Sequence, residues 1–599
     1  MIEIKEKHIP DLFFNRAAEM GDAPFLGRKM ANGWETFSWL EIAEKVKNMA
    51  LGLVSLGISA DEHVAIFSPN RVEWAISDLA ILSAAKADIP IYPTNSAEEV
   101  EYIVNDSKSV AIIVAEKNHL DNVMKVRDKC PSLKHIIIMD KIADAPEGVL
   151  HFDDIIKMGQ DFADKAEFDR RLDATDIDEM ATLIYTSGTT GPPKGVILTH
   201  RNFLANVYQA YYTHSEIFAA GKVCLSFLPL SHSMERTGCW YLDIFTRGTI
   251  YYAQNPTTVI DDMQEIKPNF LVSVPRLFEK IYAGVHQKVE QASPLKKALF
   301  NFAKNAGMDA VEYSSKNEPV PVFKKLKYNL AKKLVLTKLQ AALGAENIEA
   351  VISGGGPLSV DVNRFLHAIG IPAHEAYGLT ETTPTATANT PEHFRFGSVG
   401  KPVVDTEVKI AEDGEVLIRG PQVMKGYYNQ PDATAEAIDK DGWFYTGDIG
   451  KFDDGFLYIT DRKKDLIITA GGKNISPQNI ENTVAIDQFI ENLVVIGDRR
   501  PFVSALIVPD FIALKEWAEE ENISYTDNAD LIAKPEVLKL YEKRIALYNP
   551  QFARVEQIKK FRILDREFSQ ETNELTPTMK LKRKVVTSKY QGQIESIYK

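Results

Sequence analysis

At 599 residues the chain is long enough for several hydrophobic cores, and 45% hydrophobic with 25% charged residues is ordinary for a soluble globular protein. A net charge of −14 argues against a general nucleic-acid binder, and Cys130, Cys224 and Cys239 have neither metal-like spacing nor the look of a disulfide framework. No window approaches the roughly 18 consecutive apolar residues of a spanning helix. Met1 to Met20 alternates charged and apolar residues, without the apolar core of a signal peptide. The expected compartment is therefore cytosolic, with peripheral membrane contact open. No repeat stands out, so a solenoid is excluded.

Up to about residue 180, short β-rich runs (Val64 to Phe67, Ala111 to Val114, Ile136 to Met139) alternate with helical patterns at Ser38 to Leu56 and Glu73 to Ala85. Runs without strict alternation suit strands buried on both faces of a parallel sheet, so the class is α/β. Met180 to Ile184 then feeds Tyr185-Thr-Ser-Gly-Thr-Thr-Gly-Pro-Pro-Lys-Gly195. Its glycines free backbone N–H groups to face an anion, Thr186, Ser187, Thr189 and Thr190 add donors, and Lys194 adds a point charge. This composition suits a phosphate-gripping loop or a flexible surface loop. A Walker loop is disfavoured, because Lys194 is followed by Gly195 and not by Ser or Thr.

Thr199 to Asn202 reads as a helix start, and Lys222 to His232 as a strand then a loop, with His232 at the strand's end, where α/β folds place ligand sites. Residues 285–345 read as a helical, basic insertion. Pro321 to Leu339 holds six lysines and no acid, interleaved with Phe323, Leu326, Leu330, Leu334 and Leu336. That is a solvated helix packed on the core, or an amphipathic segment resting on anionic lipid. Glu349 to Leu358 runs a strand into Gly354, Gly355 and Gly356, where backbone can approach a planar ligand. Asp413-Gly414 signals a hairpin. Leu493 to Ile496 and Val503 to Val508 read as strands of a small α+β domain.

The phosphate loop resembles, word for word, the signature of the adenylate-forming superfamily of acyl-CoA synthetases, luciferases and peptide-synthetase adenylation domains. Other motifs follow in order, so the resemblance spans essentially the whole chain. Leu228-Pro-Leu-Ser-His232 resembles the family's acyl-pocket motif, and its continuation to Gly238 and Val272 to Tyr282 are similar to the long-chain fatty acyl-CoA synthetase branch. The implied architecture is a large N-terminal domain, 1–462, with parallel-rich sheets and a β-subdomain, and a small mobile C-terminal domain, 463–599.

The resemblance also implies roles. Thr186 to Thr190 and Lys194 hold the β- and γ-phosphates of ATP, and His232 borders the acyl pocket. Gly354, Gly355 and Gly356 border the adenine together with Glu375, Ala376, Tyr377 and Gly378 of His374 to Thr382. Tyr377 stacks on adenine, Thr380 faces the α-phosphate, and Glu381 binds Mg²⁺, as a hard cation prefers. The block Arg419 to Tyr427 is largely structural. Asp448 accepts the ribose hydroxyls, Arg462 contacts ribose or phosphate, Lys464 is the hinge, and Gly471, Gly472 and Lys473 face the CoA channel. The catalytic lysine corresponds to Lys580, although Met579 stands where glycine is usual and Lys582 is a rival. Some long-chain members carry a tryptophan gate; Trp240 lies further along and is not assigned that role.

The implied reaction is acyl-adenylate formation from a fatty acid and ATP, then transfer to CoA. Charge stabilisation and positioning carry the chemistry, and no Ser/His/Asp triad is required. Two other readings remain: a module handing its adenylate to a carrier protein, and a catalytically silent AMP- or lipid-binding relative. Acyl chain length and oligomeric state are not legible.

Overall fold

The computed structural model describes residues 2–186, 192–255, 257–470, 474–576 and 580–599. The apolar runs form doubly buried strands as expected: His63–Phe67, Ala87–Ile91 and Ala111–Val114 are buried throughout and pair in parallel. They sit in an eight-stranded sheet ordered 426–427, 194–199, 180–186, 87–91, 63–67, 111–114, 135–138, 149–151. Met180–Thr186 and Lys194–Thr199 are antiparallel neighbours, with Tyr185 opposite Gly195, so the glycine-rich stretch connects two paired strands. The predicted helix start is real: the Thr199 side chain accepts from the Asn202 N–H, and Asn202 reciprocates.

A nine-stranded sheet carries parallel strands 24–30, 249–252, 223–226, 270–273, 350–353 and 373–378. Four antiparallel strands, 407–410, 415–419, 444–453 and 456–462, make a smaller sheet whose first turn is the anticipated Asp413-Gly414 hairpin. Towards the C-terminus, strands 490–496, 504–509 and 560–563 and their helices enclose a separate core that includes Leu493, Ile507 and Tyr541.

The two large sheets are tied by a buried ionic cluster. Asp78 and Asp88 come from the helix and strand Val72–Ala84 and Ala87–Ile91, and Arg236 comes from the π-helix Arg236–Tyr241. Arg236 donates to Asp78, to Asp88 Oδ2 at 2.5 Å and to Thr182 Oγ1 at 3.0 Å, and Trp240 Nε1 donates to Asp78 Oδ2 at 2.7 Å. The three ionic side chains are 0% exposed. Trp240 is therefore a core residue. Among the described residues, no helix is long and apolar enough to cross a membrane.

Candidate active site

One cavity of about 390 Å³ opens where the sheets meet, and most of the predicted site residues line it. Its polar end begins at Lys194. The short strand Gly426–Tyr427 pairs antiparallel with Lys194–Thr199, and this places the Tyr427 ring 4.6 Å from Lys194 Nζ. The Tyr427 hydroxyl donates to Glu381 Oε1 at 2.9 Å. Glu381 lies on a single 3-10 turn, Thr380–Thr382, that follows the strand Ala373–Gly378. Burial pushes the Glu381 pKa up, and hydrogen bonds from its own backbone and from Tyr427 oppose that.

The facing wall is set by strand register. Asp448 and Arg462 are cross-strand partners, and Arg462 Nε lies 3.3 Å from Asp448 Oδ1. Tyr377 donates its hydroxyl to Asp448 Oδ2 at 2.7 Å, and Asp448's own N–H donates to Thr446 Oγ1 at 3.0 Å. Burial raises the Asp448 pKa, while Arg462, Tyr377 and Lys580 favour its ionised form. Lys580 arrives from the C-terminal region as an exposed residue of the cleft wall. Desolvation and then Arg462 lower its pKa, and Asp448 and Glu381 oppose them. Two hydrogen bonds with Thr576 fix its backbone: Thr576 N–H to Lys580 O at 2.8 Å, and Lys580 N–H to the Thr576 hydroxyl, Oγ1, at 3.0 Å. Lys582 instead donates to Asn573 Oδ1 at 2.6 Å and is absent from the cavity lining. Of the two rivals, the fold brings Lys580 to the cleft.

The other end of the cavity is apolar, walled by Phe218, Met234, Gly238, Leu242, Val272 and Ile352. Here one expectation is corrected. The strand that was to end at His232 ends at Ser226, as Val223–Ser226. The loop opens at Phe227 and runs through Pro229, which cannot donate to a ladder, to carry His232 to the N-cap of a short turn, where Nδ1 accepts from the Met234 N–H at 3.1 Å. Burial pushes the His232 pKa down to about 3, with Lys580 acting the same way, so the ring is neutral. Two glycines keep the junction open. A Cβ on Gly354 would lie 2.7 Å from Met234 Sδ, and one on Gly378 would lie 1.5 Å from the Pro384 carbonyl oxygen.

The profile of the AMP-binding enzyme family matches residues 13–428, and that of the AMP-binding enzyme C-terminal domain matches 464–599. This chain belongs to the AMP-binding enzyme family. It is similar to the long-chain-fatty-acid–CoA ligase FadD15 of Mycobacterium bovis, 36% identical over 99% of this chain and 97% of the relative. It is also similar to a chloroplastic long-chain-fatty-acid–acyl-carrier-protein ligase of Arabidopsis thaliana, 30% identical over 99% and 87%. Among solved structures, the A domain of a carboxylic acid reductase from Segniliparus rugosus, in complex with AMP and a co-purified carboxylic acid, superposes with a TM-score of 0.77. That likeness, at 19% identity over 99% of this chain and 94% of the other, concerns the fold.

In this AMP-binding enzyme, Thr186, Lys194, His232, Gly354, Gly355, Ala376, Tyr377, Gly378, Thr380, Glu381, Asp448, Arg462, Lys464 and Lys580 meet in the one cavity. Gly356 and Glu375 are not in its lining. The Glu375 carboxylate turns inward to accept from the Leu358 N–H at 3.1 Å and Asn363 Nδ2 at 3.3 Å, and burial raises its pKa to about 7. Ser187, Gly188, Thr189, Thr190, Gly471, Gly472 and Lys473 lie outside the described residues. The sequence reading missed Tyr427. It ends a block read as structural, and its only signal was a tyrosine next to a glycine in that block.

Proposed function

We propose that this enzyme activates a long-chain fatty acid with ATP and transfers the acyl group to CoA. The observation that carries this is the cavity's two-part character: a cationic and carboxylate end at Lys194, Glu381, Asp448, Arg462 and Lys580 runs into an apolar end past His232. In the first half-reaction a fatty carboxylate oxygen attacks the α-phosphorus, the bond to the β-phosphate oxygen breaks, and pyrophosphate leaves. In the second, the CoA thiolate attacks the acyl carbon, the bond to the AMP oxygen breaks, and AMP leaves.

Lys580 neutralises charge between carboxylate and α-phosphate, and Lys194 with the Thr186 loop neutralises the departing pyrophosphate. Asp448 receives the ribose hydroxyls while Arg462 and Tyr377 hold it ionised and aligned. Glu381 suits a hard divalent cation, since a carboxylate facing the phosphate end supplies one oxygen and the nucleotide supplies others. Bound Mg²⁺ would screen the phosphate charge there. Neutral His232 shapes the pocket without adding charge beside the fatty carboxylate. We place the hinge at Lys464, so that residues 463–599 turn to withdraw Lys580 and admit CoA.

A panel of short to long fatty acids, assayed with ATP and CoA for AMP and thioester, tests the substrate class. Release of AMP and thioester that rises with chain length supports it, and turnover confined to short or aromatic acids refutes it. The Arabidopsis relative's name favours one second reading, transfer to a carrier protein. Holo-carrier protein outcompeting CoA as acceptor would establish that instead.

A further inference from the structure

The helices Pro294–Ser314 and Val322–Ala331 run antiparallel, fixed by Asp309 against Lys324 and Lys327 and by Lys327 over the Phe302 ring. The second helix continues through Lys332–Leu336 and Thr337–Ala342. It has two apolar faces. Ala331 and Leu336 are buried against the core, with Tyr328, Val335 and Leu339 packed beside them. On the other side of the helix, Phe323 is 80% exposed, Leu326 62%, Leu330 52% and Leu334 47%. One amphipathic face accounts for folding; the second has no partner among the described residues. The antiparallel pairing brings the exposed Leu295 and Leu299 of the first helix to the end that holds Leu334.

The charge around this stripe has one sign. Residues 319–345 and 294–308 contain no Asp or Glu. Asp309 is already matched to Lys324 and Lys327, whereas Lys296, Lys325, Lys332, Lys333 and Lys338 are exposed. Contiguous exposed apolar surface marks an interaction site, and leucines flanked by lysines are complementary to acyl chains beneath anionic headgroups. A second copy of this chain would bring the same lysines together. We propose that this helical hairpin is a membrane-docking surface that seats the protein reversibly on anionic lipid. The apolar stripe enters the headgroup boundary, and the lysines strengthen binding about five-fold each near the surface, within a Debye length.

Co-sedimentation of the full chain with phosphatidylcholine vesicles, with or without phosphatidylglycerol, tests this alongside two variants, Leu326→Glu/Leu330→Glu and Lys332→Glu/Lys333→Glu. These positions are exposed and outside the catalytic cavity, so both variants should retain the melting temperature. The expected result is binding to anionic vesicles, weakened by salt, with Lys332→Glu/Lys333→Glu at least about 25-fold weaker, Leu326→Glu/Leu330→Glu also clearly weaker, and neutral vesicles binding poorly. Three results would overturn the proposal: no binding to either vesicle, equal binding by wild type and both variants, or lipid-independent self-association abolished by Leu326→Glu/Leu330→Glu.

Discussion

Two clusters of carboxylates and cations in this molecule use the same groups for opposite ends. Around Arg236, two aspartates, a threonine, a tryptophan and a tyrosine close over one guanidinium, and all three charges are sealed from water. Around Asp448, the carboxylate is nearly buried, yet its partner Arg462 is half exposed and Lys580 comes from a different part of the chain. The sealed cluster binds structure to structure, with its charges satisfied by one another. The open one gathers Lys194, Arg462, Lys464 and Lys580 along one cavity, where a polyanionic substrate can meet them.

Removing one partner should therefore separate the clusters by readout. Arg236→Ala leaves Asp78 and Asp88 facing each other in a dry interior, and the expected loss is about 3–5 kcal/mol of stability by chemical denaturation. An unchanged denaturation midpoint would mean that the cluster is not what ties the sheets. Lys580→Ala should leave that midpoint alone and slow acyl-adenylate formation by about 10²–10³-fold, while thioester formation from supplied acyl-AMP is spared. Equal losses in both half-reactions would deny it a role confined to the first. Glu381→Gln, by the same logic, should raise the Mg²⁺ concentration needed for adenylation and leave AMP affinity close to wild type. An unaltered Mg²⁺ titration would remove Glu381 from the cation's surroundings.

Tyr427→Phe sharpens the comparison on a smaller scale. It keeps the ring under Lys194 and deletes only the bond to Glu381, so kcat/KM should fall roughly ten-fold with stability retained. Loss of folding instead would return Tyr427 to a structural role. A pH-dependent effect concerns Glu235, in the dry wall near the sealed cluster, where burial raises its pKa from 4.5 to about 8 and a bond from Ser226 opposes this. Between those values the folded state binds more proton than the unfolded one, so stability declines as pH rises through that window. Glu235→Gln should flatten the decline in melting temperature, and parallel curves for both proteins would refute the assignment.

Much of this was readable in the chain because it is local. The strand at Val64 to Phe67, the cap at Thr199 and the Asp413-Gly414 turn each follow from a few adjacent residues. The family signatures brought the cavity residues together for the same reason, since each motif is contiguous. What escaped is made by distance. Arg236 meets its aspartates across about 150 residues of chain, and Tyr427 meets Lys194 only through strand pairing. The helix from Val322 showed apolar residues around more than one face, and periodicity does not say which face goes inward. His232 was misplaced because the ladder ends at Ser226, before the apolar run itself ends.

The pairing of Gly426–Tyr427 with Lys194–Thr199 also sets an order in time. A chain emerging from the ribosome has made its phosphate loop by residue 199, but the strand that braces Lys194 and carries the bond to Glu381 is still more than 200 residues from synthesis. Until Tyr427 emerges and docks, Lys194 lacks the ring beside it and Glu381 lacks the hydroxyl that donates to it. On the role proposed for Lys194, nucleotide binding would then come late in synthesis. A truncated product ending before residue 426 would fold much of the same sheet and yet not hold Lys194 in place for ATP.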